Sequence, residues 1–330
     1  MEKILEVKDL SVEFYKGGKV IPALRDVSIT LKENEVLGIV GESGCGKSTL
    51  ALAILKLIPE REGKIVSGEV LFKREELLSL SDEKLLKVRG DRISIIFQDP
   101  FTSLNPLFRI GNQIAESLAL HRKENLSTYQ IEEEIIELLE LVKMSKPKDT
   151  MLSYPHQLSG GMQQRVMIAM ALSSNPEILI ADEPTTALDV TIQKEILGLL
   201  TELQKKLGLS VVLITHDFGI VAQTCQRVSV MYAGSIVEEA STSEIFHNPL
   251  HPYTKGLLES LPSREESRDF SQGEKRRLRA ISGQVPDPSN LPSGCKFHPR
   301  CPIVIEQCKP EEPRLREIIQ NHWVRCIRAG

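Results

Sequence analysis

The sequence predicts an α/β fold: a parallel sheet with helices around it, preceded by an antiparallel β region, interrupted by a helical subdomain and followed by a small cysteine-rich extension. Three observations carry this expectation. GESGCGKS, at Gly41 to Ser48, stands between an apolar run, VLGIV, and a helical pattern. ILIAD and VVLIT are further short apolar runs, separated by the amphipathic segment IQKEILGLLTELQKKLG. Buried apolar strands alternating with amphipathic helices are the pattern of a parallel sheet.

Residues 3 to 40 alternate apolar and polar in short bursts punctuated by Gly17-Gly18 and Glu33-Asn34, which predicts antiparallel strands joined by tight turns. VLGIV then predicts a buried strand, and Leu50, Ile54, Leu57 and Ile58 set a helical period after the glycine-rich loop. From about Pro100 to Leu172 helical periods dominate, notably in IGNQIAESLAL and YQIEEEIIELLELV, so residues 100–172 are expected to form an inserted helical subdomain. After Glu239 the composition shifts. Pro249, Pro252, Pro262, Pro286, Pro288 and Pro292, with the charged stretch SREESRDFSQGEKRRLR, predict a looser appendage. The division expected is residues 1–245 and 246–330.

The 330 residues are enough for a sizeable core and more than one domain. A net charge of -4 and a pI near 6.1 lack the basic excess of nucleic-acid binders, so no nucleic-acid partner is expected. MEKILEVKDL has acidic residues and no apolar targeting core, and no run approaches the ~18 apolar residues of a membrane span. The chain is expected in the cytosol unless a partner holds it at a membrane.

GESGCGKS matches G-x-x-x-x-G-K-S in full, in the strand–loop–helix context that makes the pattern a phosphate site. Gly41, Glu42, Ser43, Gly44, Cys45, Gly46, Lys47, Ser48 and Thr49 are therefore the expected nucleotide-binding residues. Backbone N–H groups at a helix N-terminus curl around phosphate oxygens, Lys47 reaches the β- and γ-phosphates, and the Ser48 hydroxyl ligates Mg²⁺. Cys45 fills a variable position. ILIADE ends a buried strand on two acids, where open α/β sheets bind ligands. Asp182 is expected to hold the Mg²⁺ shell, and Glu183 to be the general base that orients or deprotonates the attacking water.

LSGGM, at Leu158 to Met162, resembles the signature motif of the ATP-binding cassette family, and the family fold covers roughly residues 4–240. Ser159, Gly160 and Gly161 open a predicted helix with apolar Met162, Val166 and Met170, a second N-terminus suited to phosphate. The resemblance implies that this loop binds the γ-phosphate of ATP held by a second subunit, so that two cassettes sandwich two nucleotides. It also implies a Mg²⁺- and water-sensing role for Gln98, communication between cassettes for Asp189, a γ-phosphate contact for His216, and adenine stacking by Phe14 or Tyr15. A core or surface aromatic remains the alternative for either of the last two.

FQDPFTSLNP, SYPHQLSGGMQQRVMIAMAL and above all NPLHPYTKGLL, at Asn248 to Leu258, resemble the ATPase subunits of bacterial and archaeal dipeptide or oligopeptide importers. Nickel importers share that layout, and a soluble non-transport cassette is the reading from a different class. The resemblance implies a second ATPase subunit, identical or different, two transmembrane permeases, an extracytoplasmic solute-binding protein, and a place at the cytoplasmic face of the membrane.

Of six cysteines, Cys295, Cys301, Cys308 and Cys326 are grouped, with five, six and seventeen residues between them. Four thiolates suit a [4Fe-4S] cluster or a structural Zn²⁺, with His298 and His322 as substitute ligands. The absence of closely paired cysteines favours the cluster, and some dipeptide importer ATPases, which this chain resembles, carry one. A tail with little core of its own is expected to draw its folding free energy from that metal.

Overall fold

The computed structural model describes residues 2–121, 127–186, 188–261 and 281–329. The N-terminal alternation forms β1 (Lys3–Lys16) and β2 (Lys19–Lys32), paired antiparallel around the Gly17-Gly18 turn. VLGIV is β3 (Val36–Val40), buried at every residue, and it leads through the glycine-rich loop into α1 (Lys47–Ile54). This helix stops short of the pattern that runs to Ile58, because Lys56 takes a left-handed conformation, φ 51°, and turns the chain.

Next come β4 (Gly63–Phe72), β5 (Glu75–Glu76), α2 (Asp82–Leu86) and β6 (Ile93–Ile96). The helical stretch contains α3 (Pro100–Ser103), α4 (Ile110–His121), α5 (Thr128–Leu141), α6 (Pro147–Leu152) and α7 (Gly160–Leu172). A capping box starts α5, where Ser127 and Gln130 satisfy each other's backbone N–H groups. ILIAD is β7 (Ile178–Asp182), followed by α8 (Val190–Leu207), β8 (Ser210–Thr215), α9 (Phe218–Thr224), β9 (Arg227–Tyr232), β10 (Ser235–Ser241), α10 (Thr242–His247) and α11 (Pro252–Glu259). The tail adds β11 (Arg316–Ile319) and β12 (His322–Val324).

Among the described residues the strands form two sheets. The antiparallel one runs β2-β1-β4-β5, and the larger runs β11-β12-β10-β9-β3-β8-β7-β6, parallel from β9 to β6. Successive side chains of a strand point to opposite faces, so β7 feeds two cores. Ile178 and Ile180 pack with α1 and the antiparallel sheet, while Leu179 and Ala181 pack with α7, α8 and the helical insertion. A fully buried Leu or Ile contributes about 1.5–3 kcal/mol, so this double facing fixes the register and places the C-terminal ends of β3 and β7 side by side with β8.

The tail is more firmly tied than its proline-rich composition predicts. β12 pairs antiparallel with β10, matching Glu238 with Val324 and Glu239 with Trp323. His322, wholly buried, places its Nε2 2.7 Å from Glu238 Oε1, whose carboxylate also accepts the N–H groups of Leu250 and His251. Arg25 forks onto Glu312 at 2.8 and 2.9 Å. The charged stretch from Ser263 to Arg279 lies outside the described residues.

Candidate nucleotide site

Residues Gly41 to Gly46 wrap the N-terminus of α1, and two glycines there are required by close approach. Gly46 has φ 107°, and a Cβ on it would lie 2.7 Å from the Ala23 carbonyl oxygen; a Cβ on Gly41 would lie 2.2 Å from that of Met231. Lys47 is 4% exposed, and its Nζ donates to the carbonyls of Gly41 (2.9 Å) and Glu42 (3.2 Å). Its ammonium also stands 3.6 Å from Glu183 Oε1.

Glu183 is where the separately predicted residues meet. It follows β7 with φ 44°, a left-handed conformation that is strained for a side-chain-bearing residue and that re-aims the carboxylate. Its Oε2 accepts from Gln98 Nε2 at 3.1 Å and from Thr186 Oγ1 at 2.9 Å, and lies 3.3 Å from His216 Nδ1. Thr186 is absent from the sequence-level prediction. Its position three residues after Glu183, in a turn, is the signal that could have found it.

Asp182, one residue earlier, is buried, with an Oδ1 that has no hydrogen-bond partner. Burial pushes its carboxyl up, and like-charged Glu183 adds to that, while the Ser48 hydroxyl and Lys47 oppose it. An orphaned buried carboxylate oxygen beside a hydroxyl suits a hard cation, so these residues fit Mg²⁺.

A cavity of about 260 Å³ opens over the loop, lined by Ser43, Gly44, Lys47, Ser48, Gln98 and Glu183 at one part and by Phe14, Ile21 and Pro22 at another. Phe14 lines it, whereas Tyr15 does not and is 44% exposed. Cys45 is buried under the loop, and burial pushes its thiol up to about 11, which suits packing rather than reactivity.

Ser159, Gly160, Gly161 and Asp189 do not line this cavity. Ser159 caps α7 by accepting from the Met162 N–H, and a Cβ on Gly161 would lie 2.6 Å from Ile192 Cγ2, so the glycine lets α7 approach α8. Asp189 caps α8, with Oδ1 accepting from the N–H groups of Thr191 and Ile192 at 3.1 Å each.

The expected metal site of the tail is not borne out. Cys295, Cys301, Cys308 and Cys326 border one small apolar cavity, yet among the described residues no group of three or more His, Cys, Asp or Glu is arranged to hold a metal ion. Burial, with smaller contributions from the neighbouring tail cysteines, pushes the Cys295 thiol up to about 11 and raises Cys301. His298 Nδ1 is within 2.9 Å of the Cys295 carbonyl, and His322 is engaged with Glu238. The tail takes its order from strand pairing and ion pairs, and the cysteines pack within it.

Residues 24–186 match the family described as "ABC transporter", and residues 237–308 match "Oligopeptide/dipeptide transporter, C-terminal region". A probable peptide ABC transporter ATP-binding protein of Sinorhizobium fredii is 49% identical over 99% of this chain and 95% of its own length. An oligopeptide transport ATP-binding protein of Bacillus subtilis, OppD, is 48% identical over 98% of this chain and 88% of its own. Among solved structures, the ATP-binding cassette MJ0796, in a dimeric post-hydrolysis state bound to ADP and Pi, aligns with TM-score 0.65 and 32% identity over 72% of this chain and 98% of that one.

Proposed function

The chain belongs to the ABC transporter ATPases that carry an oligopeptide/dipeptide transporter C-terminal region, and from that premise we propose that it powers the import of dipeptides or oligopeptides, with Glu183 as the general base of ATP hydrolysis. The observation that carries the catalytic part is the convergence of Lys47, Gln98, Thr186 and His216 on the Glu183 carboxylate at the mouth of the loop.

Lys47 already sits over the loop and would trade its carbonyl partners for phosphate oxygens. Ser48, Asp182 and Gln98 would hold Mg²⁺, which when bound neutralises phosphate charge. Glu183 takes the proton of the attacking water. Gln98 and Thr186 fix the orientation of its Oε2, and His216 stands where it can contact the transferred phosphate. Phe14, rather than Tyr15, is the residue we assign to the base. Residues 1–245 form the nucleotide-binding unit in this reading, and residues 246–330 the transporter-specific extension.

Ser159, Gly160 and Gly161, being away from the chain's own cavity, serve the nucleotide of a second cassette, and Asp189 links the two. That second ATPase subunit, two permeases and a solute-binding protein complete the transporter, with this chain at the cytoplasmic face of the membrane. We assign the pore to the permeases; among the described residues of this chain no helix is long and apolar enough to cross a membrane. The peptide-transport names of the relatives favour peptide over nickel as cargo. Reconstitution with its permeases tests the reading: peptide-loaded binding protein is expected to stimulate ATP turnover, whereas stimulation by nickel and not by peptide would overturn the cargo assignment.

A further inference from the structure

The C-terminal extension meets the nucleotide site twice, once at the cavity and once at the phosphate loop, through residues outside the phosphate-loop motif. Val285, Pro286, Pro288 and Leu291 line the same cavity as Phe14 and Ile21. Farther along the tail, Arg300, with a side chain only 4% exposed, forks onto the phosphate-loop residue Glu42: Nη1 donates to Oε2 at 2.8 Å and Nη2 to Oε1 at 3.0 Å. The fork is itself held, since Arg300 Nε donates to the Ser282 carbonyl and the guanidinium stands 5.8 Å over the Tyr232 ring. On the backbone side, the Glu42 N–H donates to the buried Tyr253 hydroxyl at 3.0 Å. Glu42 is also the residue whose carbonyl accepts from Lys47 Nζ.

We infer that the extension completes the nucleotide site, with the segment 285–291 forming an apolar wall for the nucleoside of an adenine nucleotide and Arg300 acting, through Glu42, as a positioning residue for the phosphate loop. The inference rests on the reading of this cavity as an ATP site. Chemistry divides the two contributions. Val285 and Leu291 offer apolar surface suited to base and ribose, whereas the guanidinium fork on the side chain and the Tyr253 hydroxyl on the backbone N–H together restrain Glu42, whose carbonyl receives Lys47. An extension joined to the loop in this way makes nucleotide affinity depend on residues well outside the phosphate-loop motif.

Binding of ATP and of pyrophosphate by the full-length chain tests this, with thermal unfolding as the control for folding. Replacing Val285 and Leu291 together by Ala is expected to weaken ATP about tenfold, equivalent to ~1.4 kcal/mol, and to leave pyrophosphate unchanged. Arg300→Ala is expected to weaken both ligands to a similar extent, and Arg300→Lys to recover only part of the loss, because an ammonium restores the charge and not the fork. Should Arg300→Ala fail to fold, the two-residue wall variant decides. The inference falls if the wall variant and Arg300→Ala bind both ligands as the unaltered chain does while Lys47→Ala abolishes binding. If the unaltered chain binds no ATP, the reading of the cavity falls, and the inference with it.

Discussion

At the scale of single residues, the loop and its neighbours are shaped by steric and burial constraints that make distinct predictions. Gly46→Ala places a methyl against the Ala23 carbonyl in a left-handed conformation, and a strain of about 1–3 kcal/mol is expected, read as a lowered Tm with weakened ATP binding. His251 is wholly buried, its Nδ1 accepts the Tyr253 N–H, and burial pushes its pKa down to about 3. Between the ordinary value near 6.5 and about 3, the unfolded chain binds a proton that the folded chain refuses. Stability from this residue is therefore present above pH 6.5 and declines as the pH falls, with a limiting slope of ~1.4 kcal/mol per unit. His251→Asn keeps an acceptor without the titration. Its Tm is expected to fall less than that of the unaltered chain between pH 7.5 and 5.5, and an identical decline would refute the assignment.

At the scale of elements, the buried parallel strands were the most legible features, and tertiary additions the least. VLGIV, ILIAD and VVLIT read as buried strands because both faces of a parallel sheet are covered, and each is one. β11 and β12 were not foreseen, since four and three residues flanked by prolines and charges carry no usable alternation, and their pairing depends on β10 being near. Within the site, Lys47, Asp182 and Glu183 could be named because motif spacing carries them. Thr186 was within reach, three residues after Glu183, whereas Tyr253 and Arg300 were not, because they meet the loop residue Glu42 only through the fold. The cysteines misled for a related reason: proximity in sequence says nothing about whether four sulfurs converge with metal-binding geometry. Asp189 is both a cap of α8 and an expected link between cassettes, and the two roles separate by substitution. Asp189→Ala is expected to lose about 1 kcal/mol of stability, and Asp189→Asn, which caps as well, to regain it. If Asp189→Asn restores Tm while turnover stays low, the carboxylate has a role beyond the cap.

At the scale of the whole molecule, the tail is tied to the cassette by a buried pair and a shared sheet, and it reaches the cavity where ATP is to bind. Removing the buried His322 takes one hydrogen-bond partner from Glu238 Oε1, so His322→Ala is expected to destabilise the chain by about 1–3 kcal/mol, measured by denaturant unfolding. A loss below about 1 kcal/mol would mean that the strand pairing alone holds the tail. In the α/β core, the pairing of β3, β7 and β8 delivers Lys47, Asp182, Glu183 and His216 to one place. Glu183 is the residue on which hydrolysis at this site is proposed to depend. The most direct measurement is ATP turnover by the purified full-length chain and its Glu183→Gln variant, with ATP binding measured in parallel. A loss of about 10²-fold or more in turnover with binding retained is the predicted result, the range expected for removal of a general base. Turnover within a few-fold of the unaltered chain would contradict it and move the catalytic role to another residue.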